Sequence, residues 1–401
     1  MRKSVHILLG IPTDLDFGRG VIQGIIRFGA TTNWILGSTP VDGRAAPDDG
    51  TANWSVEERG GVIAAIDTPQ QAQAFKALNL PCVNVSSALG DPSVPTVSCD
   101  DKMIGSIAAS HFLERQMRHF GFVGRAGYAD AEIKRAGFSE RLAVDGITKV
   151  SSHEAPQKFT PESFKSLCEW IESLSKPAGV FATSDNLGRI VIDACRAAAI
   201  RVPGQISVLG CGNDSVICGL TSPSLSSVSL PGERVGFEAA DLLTALMSGK
   251  KHIEKRRLIQ VSSVIPREST DNVSVRDPDV ANALRFIFAH AGEWIGVREL
   301  LLALPVQRRS LERKFRKVLG RSPLEEIRRV RVDLAKQLLS STDLPMPIVA
   351  RRSGFSEAKQ LSQVFRALVG TTPTTYRAQF RLPEETPKET EPVEEVEESN
   401  S

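Results

Sequence analysis

The sequence predicts a doubly wound parallel α/β body followed by an all-α domain with two helix-turn-helix units. Three observations carry this. Over residues 1–277 short apolar runs alternate with helical patterns of ten or more residues, the mark of βα units on a parallel sheet. Over residues 278–382 that alternation stops, and a set of five residues recurs at an offset of fifty. The charge is also partitioned. The whole chain of 401 residues has 49 Lys+Arg against 47 Asp+Glu, for a formal charge of +2, yet residues 278–382 carry +10 and residues 383–401 carry −7. The body is left near neutral, at −1.

In chain order, Val5–Ile11 reads as a strand and Gly20–Phe28 as a helix with Val21, Ile25 and Phe28 on one face. Gly61–Ile66 is apolar, Thr68 opens a helix to Leu78, and Pro81–Val85 is β-branched. Asp101–Met117 is helical, Phe120–Gly124 a strand and Glu132–Val144 a helix. Thr160 ahead of Pro161 and Glu162 is an N-cap with proline at the first helical position, opening a helix to about Leu174. Val180–Thr183, Ile206–Gly210 and Ser227–Leu230 read as strands, Leu187–Ala199 and Gly232–Met247 as helices, and Arg257–Val264 as one closing strand.

Several function classes are excluded. No apolar run approaches the ~20 residues of a membrane helix, and the start lacks the long apolar stretch and cleavage site of a secretory leader. A cytoplasmic location with no membrane partner follows as the expectation. The six cysteines form no CxxC pair and the six histidines are scattered, so reduced thiols and no metal are expected. GxxxxGK[ST] and GxSxG are absent, so neither a cofactor nor an enzyme is expected.

Doubly wound sheets place ligands at the carboxyl ends of their strands. Polar residues gather there: Asp14, Asp16 and Arg19; Asp100 and Asp101; Tyr128 and Asp130; Ser184 and Asp185; Asn213 and Asp214. Each alone also suits a helix cap or a solvated loop; together they suit a small hydrophilic ligand. The stretches Val97-Ser-Cys-Asp-Asp-Lys-Met-Ile-Gly105, Arg135-Ala-Gly-Phe138, Ala182-Thr-Ser-Asp-Asn186, Val202-Pro-Gly-Gln-Ile-Ser-Val-Leu-Gly210 and Leu225-Ser-Ser-Val228 resemble the module shared by periplasmic sugar-binding proteins and lactose-repressor-type regulators. The resemblance implies two lobes closing on an effector, a sugar or related metabolite, with Arg19, Asp101, Lys134, Arg135, Asp185 and Asn213 as candidate effector-binding residues. It departs at two positions. Gly212 stands where the family has a carboxylate and Lys134 where it has an arginine, so weak or no pentose binding is expected, regained by Gly212→Asp if Arg19, Asp101, Lys134 and Asp185 face the cavity.

In the basic block Leu311, Phe315, Arg316, Gly320 and Pro323 recur as Leu361, Phe365, Arg366, Gly370 and Pro373. Leu and Phe four apart share a helix face and the glycine stops the helix. Short helices near Val297–Ala303 and Ile348–Arg352 precede the copies, and Ile327, Val330, Leu334 and Leu338 mark a long helix from about Leu324 to Ser341 between them. The opposite face carries Arg308, Arg309, Glu312, Arg313, Arg316 and Lys317 in the first copy, and Lys359, Gln360, Gln363 and Arg366 in the second. Arginine is bidentate to guanine and glutamine to adenine, while Lys and Arg neutralise phosphates, so these are candidate DNA-binding residues.

Residues Val280–Phe380 resemble the AraC-type regulators, through Ala335-Lys-Gln-Leu-Leu, Thr342-Asp-Leu, Gly354-Phe-Ser, Phe365-Arg and Gly370-Thr-Thr-Pro-Thr-Thr-Tyr-Arg377. The order of the two parts, joined at Val264-Ile-Pro-Arg-Glu-Ser-Thr-Asp271, resembles the regulators of xylose operons as a group. Gln307 and Pro345 stand where that pattern has capping serines, and Gln360 where it has an aromatic. The expected layout is a periplasmic-binding-protein-like effector domain over 1–270, a linker over 271–279, a double helix-turn-helix domain over 280–382 and a disordered acidic tail over 383–401. That tail is either a solvated extension or an intramolecular competitor for the basic block. The expected function is sequence-specific binding to double-stranded DNA under effector control, as a homodimer, with RNA polymerase as partner if the chain activates. The alternative is a cytoplasmic solute-binding or enzymatic α/β protein with an accessory helical domain.

Overall fold

The computed structural model describes residues 5–38, 59–90, 94–250, 254–271 and 277–380. The first lobe opens with β1 (Val5–Gly10), α1 (Asp16–Gly29), β2 (Trp34–Ser38), β3 (Arg59–Ala64), α2 (Pro69–Ala77), β4 (Cys82–Asn84) and β5 (Thr96–Cys99). The chain then crosses into α3 (Asp101–Glu114), β6 (His119–Arg125), α4 (Ala129–Val144), β7 (Ser151–Ala155), α5 (Pro161–Ser173) and β8 (Ala178–Ala182). The second lobe continues with α6 (Asp185–Ala197), β9 (Ile206–Gly212), α7 (Ser215–Leu220) and β10 (Ser226–Ser229). A second crossing returns α8 (Gly232–Met247) and β11 (Arg256–Ile259) to the first lobe, and a third delivers β12 (Val264–Ile265) to the second.

Each lobe is a six-stranded sheet, ordered β11-β5-β4-β3-β1-β2 and β12-β10-β9-β8-β6-β7. All pairings are parallel except β10 with β12. Helices cover both faces, which is why Val62–Ala64 and Ala178–Ala182 read as continuous apolar runs and are buried throughout. The single closing strand expected over Arg257–Val264 is in fact two strands in different sheets. An apolar run cannot register that the chain changes lobes within it. The strands β2, β5 and β7 were not expected; β7 is an edge strand of mixed burial and polar sequence, Ser-Ser-His-Glu-Ala.

Glycines set the closest helix approaches. A Cβ on Gly105 of α3 would lie 2.0 Å from the Lys134 carbonyl oxygen, and one on Gly137 of α4 would lie 2.0 Å from that of Lys102. Backbone therefore meets backbone between α3 and α4, and the first turn of α3 is fixed against Lys134.

The helical domain comprises α9 (Pro278–Ala289), α10 (Val297–Ala303), α11 (Arg308–Leu319), α12 (Pro323–Ser341), α13 (Met346–Arg352), α14 (Ala358–Val369) and α15 (Pro373–Phe380). Two cores form on the shared α12. Leu284, Leu300, Leu311, Phe315 and Ile327 make one; Val332, Leu339, Val349, Leu361, Phe365 and Tyr376 make the other. The recurring Leu and Phe are thus the buried anchors of two equivalent units, and Gly320 and Gly370 end α11 and α14 in the left-handed conformation, φ 71° and 83°. Of the linker expected over 271–279, residues 272–276 lie outside the described residues. Asp277 is already the N-cap of α9, so the helical domain begins ahead of residue 280. The tail at 383–401 also lies outside the described residues.

Candidate effector site and nucleic-acid interface

At the strand ends of the second lobe two buried polar clusters flank Cys211. In the first, Lys134 Nζ lies 3.0 Å from Asp101 Oδ1 and 2.5 Å from Asp130 Oδ2. Burial alone works against the Lys134 charge, but the two carboxylates more than offset it and hold the ammonium well above the usual lysine range. Burial pushes the Asp101 carboxyl up, against the pull of Lys134 and a bond from Ser87, and Asp101 Oδ2 is buried with no hydrogen-bond partner among the described residues.

In the second cluster the Asp185 carboxylate accepts from the Asp214 backbone N–H at 2.7 Å and from the Ser227 hydroxyl at 2.5 Å. Burial raises its pKa while these donors lower it. Asn213 takes the left-handed conformation at φ 55°, and its side-chain oxygen accepts from Arg267 at 2.8 Å. Cys211 feels charges from both clusters, and burial pushes its thiol up to about 12.

The lobes meet directly beside these clusters. The Asp16 N–H donates to Asp214 at 2.9 Å, and the Ser215 N–H donates back to Asp16 at 2.6 Å. Arg19 sits at this junction, donating to Asp16 and to the Thr13 carbonyl, 3.7 Å from Asp214. Elsewhere the Ala129 N–H donates to the Ala88 carbonyl across the lobes at 3.1 Å. A cavity of about 300 Å³ is lined by Asp16, Gly212, Asn213, the crossing residues Pro231 and Ser262, and Phe380.

Asp101, Lys134, Asp185 and Asn213 therefore converge at one set of strand ends, with Arg19 at the lobe junction. Arg135 does not. It is exposed and pairs with Glu132 on the same helix, because adjacent helical residues point about 100° apart and Lys134 takes the inward direction. Asp100, Ser184 and Asp214 are N-caps, accepting from Met103, Leu187, and Val216 with Ile217. Asp130, expected among the strand-end polar residues, proves to be a direct partner of Lys134, while Ser227 and Arg267 were missed as functional candidates, since only the tertiary fold brings them to Asp185 and Asn213. The expectation that Gly212→Asp restores a sugar contact is corrected: φ is +127° there, and a Cβ would lie 3.0 Å from Asp185 Oδ2.

On the helical domain, Arg308, Arg309, Arg313, Arg316 and Lys317 of α11 are exposed, as are Lys359, Gln360, Gln363 and Arg366 of α14. Glu312 is half-buried and pairs with Arg308 at 3.0 Å. Gln360 accepts from the Ser356 hydroxyl and N–H, at 3.0 and 3.2 Å, and so braces the entry to α14. Neither α11 nor α14 has a side-chain N-cap bond, Gln307 and Glu357 being the cap residues.

The helical domain is docked on both lobes. Gln337 Nε2 donates to the Val264 carbonyl at 2.6 Å, at the first residue of β12, and the Tyr376 hydroxyl to that of Ser262 at 3.4 Å, on the third crossing that leads into it. On the second lobe, Glu114 of α3 pairs with Arg329 of α12 at 2.8 Å. On the first, Arg234 of α8 donates to the carbonyls of Ala378, at 3.1 Å, and Gln379. Between α3, the third crossing and α12 lies a second cavity, of about 550 Å³. Among the described residues no group of three His, Cys, Asp or Glu is placed to hold a metal, and no helix is long and apolar enough to cross a membrane.

A periplasmic binding protein-like domain matches residues 109–270 and a helix-turn-helix domain matches residues 301–379. The chain is 28% identical to the xylose operon regulatory protein of Escherichia coli (strain K12), over 79% of this chain and 83% of that one. The protein of the same name from Haemophilus influenzae is 27% identical, over 79% and 84%. The solved structure of the xylose-binding transcription activator xylR superposes with a TM-score of 0.59 at 25% identity, covering 94% of this chain and 98% of the other. Both parts and their order are thereby matched: the chain is a DNA-binding transcription regulator of AraC type, with a periplasmic-binding-protein-like effector domain ahead of its two helix-turn-helix units.

Proposed function

We propose that the chain binds a small polyhydroxylated sugar between its two lobes and that the resulting lobe geometry sets how its two helix-turn-helix units meet DNA. Asp101, Lys134, Asp185 and Asn213 supply charged and amide groups for sugar hydroxyls, and Arg19 with Asp16 latches the lobes. Charge-assisted bonds of this type are stronger than neutral ones, which suits a ligand with many hydroxyls. Its likeness to a xylose operon regulatory protein and a xylose-binding transcription activator supports a pentose as the first ligand to test.

The observation that carries the reading is the grip of the helical domain on the third crossing and the start of the strand it enters, through Tyr376 on Ser262 and Gln337 on Val264. Lobe closure turns on such crossings, so a domain fastened to one moves with it. Arg308, Arg309, Arg313 and Arg316 of α11, with Lys359, Gln363 and Arg366 of α14, face the duplex. Lys317, at the end of α11, meets phosphate. The chain acts as a homodimer in this reading, and where it activates, RNA polymerase is its partner. The helical domain, the body and the tail divide near residues 271–277 and 382. Fluorescence anisotropy of a duplex from upstream of the chain's own gene, with and without D-xylose, L-arabinose and D-ribose, tests this. One sugar is expected to shift the DNA affinity at least tenfold, and Asp185→Asn to abolish the shift. DNA binding indifferent to every sugar overturns the effector assignment; no sequence preference overturns the DNA assignment.

A further inference from the structure

Most carboxylates of the helical domain are engaged away from its recognition faces; Glu357, exposed at the N-cap of α14 without a side-chain cap bond, is not. Asp279 holds Lys314 at 2.5 Å, while Glu299 and Glu325 accept from the N–H groups of Gly296 and Ser322 at 2.7 and 2.6 Å. Glu326 is fully buried between Arg321 and Arg329, and Asp333 bridges Arg329 and Lys336. Only Glu312 approaches the α11 face, and it is taken by Arg308. This leaves Arg309, Arg313 and Lys317 on α11, with Arg351, Lys359 and Arg366 on the second unit. All six are exposed, and none pairs with a carboxylate among the described residues.

Three residues beyond Phe380 the sequence enters 383–401, with eight glutamates against one lysine and no aromatic residue. Phe380 packs in the same core as Leu361 and Phe365 of α14, so this segment is tethered beside the second recognition helix. A tether of nineteen residues has a reach of roughly 25 Å, which gives an effective concentration on the order of millimolar. It presents a line of negative charge, as a nucleic-acid strand does.

We propose that the acidic segment 383–401 lies across the cationic faces of α14 and α11 and competes there with DNA phosphate. The proposal rests on the reading that these faces bind DNA. Purely electrostatic binding to arbitrary duplex is then opposed most, because a specific site adds base contacts that the segment cannot imitate. The segment thus raises the ratio of specific to nonspecific affinity.

The test compares three forms: the full chain, a truncation after Leu382, and a chain with the eight glutamates at 384, 385, 389, 391, 394, 395, 397 and 398 changed to glutamine. Each is titrated by anisotropy against operator-region and random duplex at 50 and 300 mM salt. In parallel, a photo-crosslinking benzoylphenylalanine replaces Val393 in the full chain. Expected are tighter binding of random duplex by both altered forms, roughly tenfold at low salt and less at high salt, a smaller gain on operator DNA, and crosslinks onto α11, α13 or α14 that excess DNA suppresses. Equal affinities for all three forms overturn the proposal. Tighter binding with crosslinks only onto the α/β body also overturns it, since charge then acts without docking. If none of the three forms binds DNA, the DNA reading has failed and the competitor falls with it.

Discussion

At the scale of single residues, environment decides what a side chain can do. Gly212 shows this. Its missing carboxylate looks like a vacancy in the chain's sugar chemistry, yet its φ of +127° strains any L side chain, and Asp185 Oδ2 already lies 3.0 Å from where a Cβ would go. Gly212→Asp is therefore expected to cost about 1–3 kcal/mol in backbone strain, lower the melting temperature and add no xylose affinity; calorimetry and thermal melting check both. The recognition faces divide in the same local way. Arg309 and Arg313 lie four apart on exposed α11, facing one direction, while Lys317 lies a further turn on. Arg313→Ala is expected to cost about 1–3 kcal/mol at the specific site and to relax preference at one base pair. Lys317→Ala is expected to weaken all duplexes alike and reduce the salt slope by about one unit. Equal losses for both variants on operator and random DNA make the α11 face electrostatic only.

Elements transmit what residues cannot. Helix α3 serves both sites: its first residue, Asp101, holds Lys134 in the effector cluster, and its last turn docks the helical domain. In that last turn His111 is buried with Arg115 Nη1 at 3.1 Å from its Nδ1 and the Thr270 hydroxyl at 2.9 Å from its Nε2. Arginine only donates, so Nδ1 must accept and the ring is neutral. Burial, then the charges of Arg115 on α3 and Arg329 from α12, hold its pKa well below the ordinary 6.5. The unfolded chain takes up a proton below about 6.5 that the folded chain refuses, so stability from neutral His111 is complete above that pH and is lost as the pH falls toward the folded value. The melting temperature is expected to fall between pH 7.5 and 5.5, and to fall less in His111→Gln. Identical pH profiles for the two proteins exclude His111 as the cause.

For the whole molecule the notable arrangement is that one helical domain touches the first lobe through Arg234, the second through Glu114, and the third crossing between them. A change of lobe angle cannot preserve all of these contacts. Removing the Glu114 charge is expected to loosen coupling more than folding, since Arg329 keeps Glu326 and Asp333. In Glu114→Gln the ratio of DNA affinities with and without sugar moves toward one while each binding activity persists, as paired anisotropy titrations would show; an unchanged ratio places the coupling elsewhere. The two units are expected to read successive major grooves about 34 Å apart on one face of the duplex. Inserting five or ten base pairs between the two subsites then abolishes binding by both units at once, because the shared α12 fixes their separation.

The sequence by itself determined the alternation of strand and helix, because parallel strands buried on both faces must be apolar runs. It also determined the two helical units, because each needs one Leu–Phe pair inside and one glycine to stop its recognition helix. The cationic faces were legible for the same reason: a helix with one buried stripe exposes the other side whatever it docks against. Contacts between distant segments were not legible. Asp130 and Asp101 on Lys134, Ser227 on Asp185, the division of Arg257–Val264 between two sheets, and the outward turn of Arg135 all depend on which surfaces the lobes present to each other. So does the grip of Gln337 and Tyr376, 73 and 114 positions from their partners in the chain, on the third crossing and the strand it enters. Periodicity records what a residue's own element buries; only the tertiary structure decides what comes to lie opposite it.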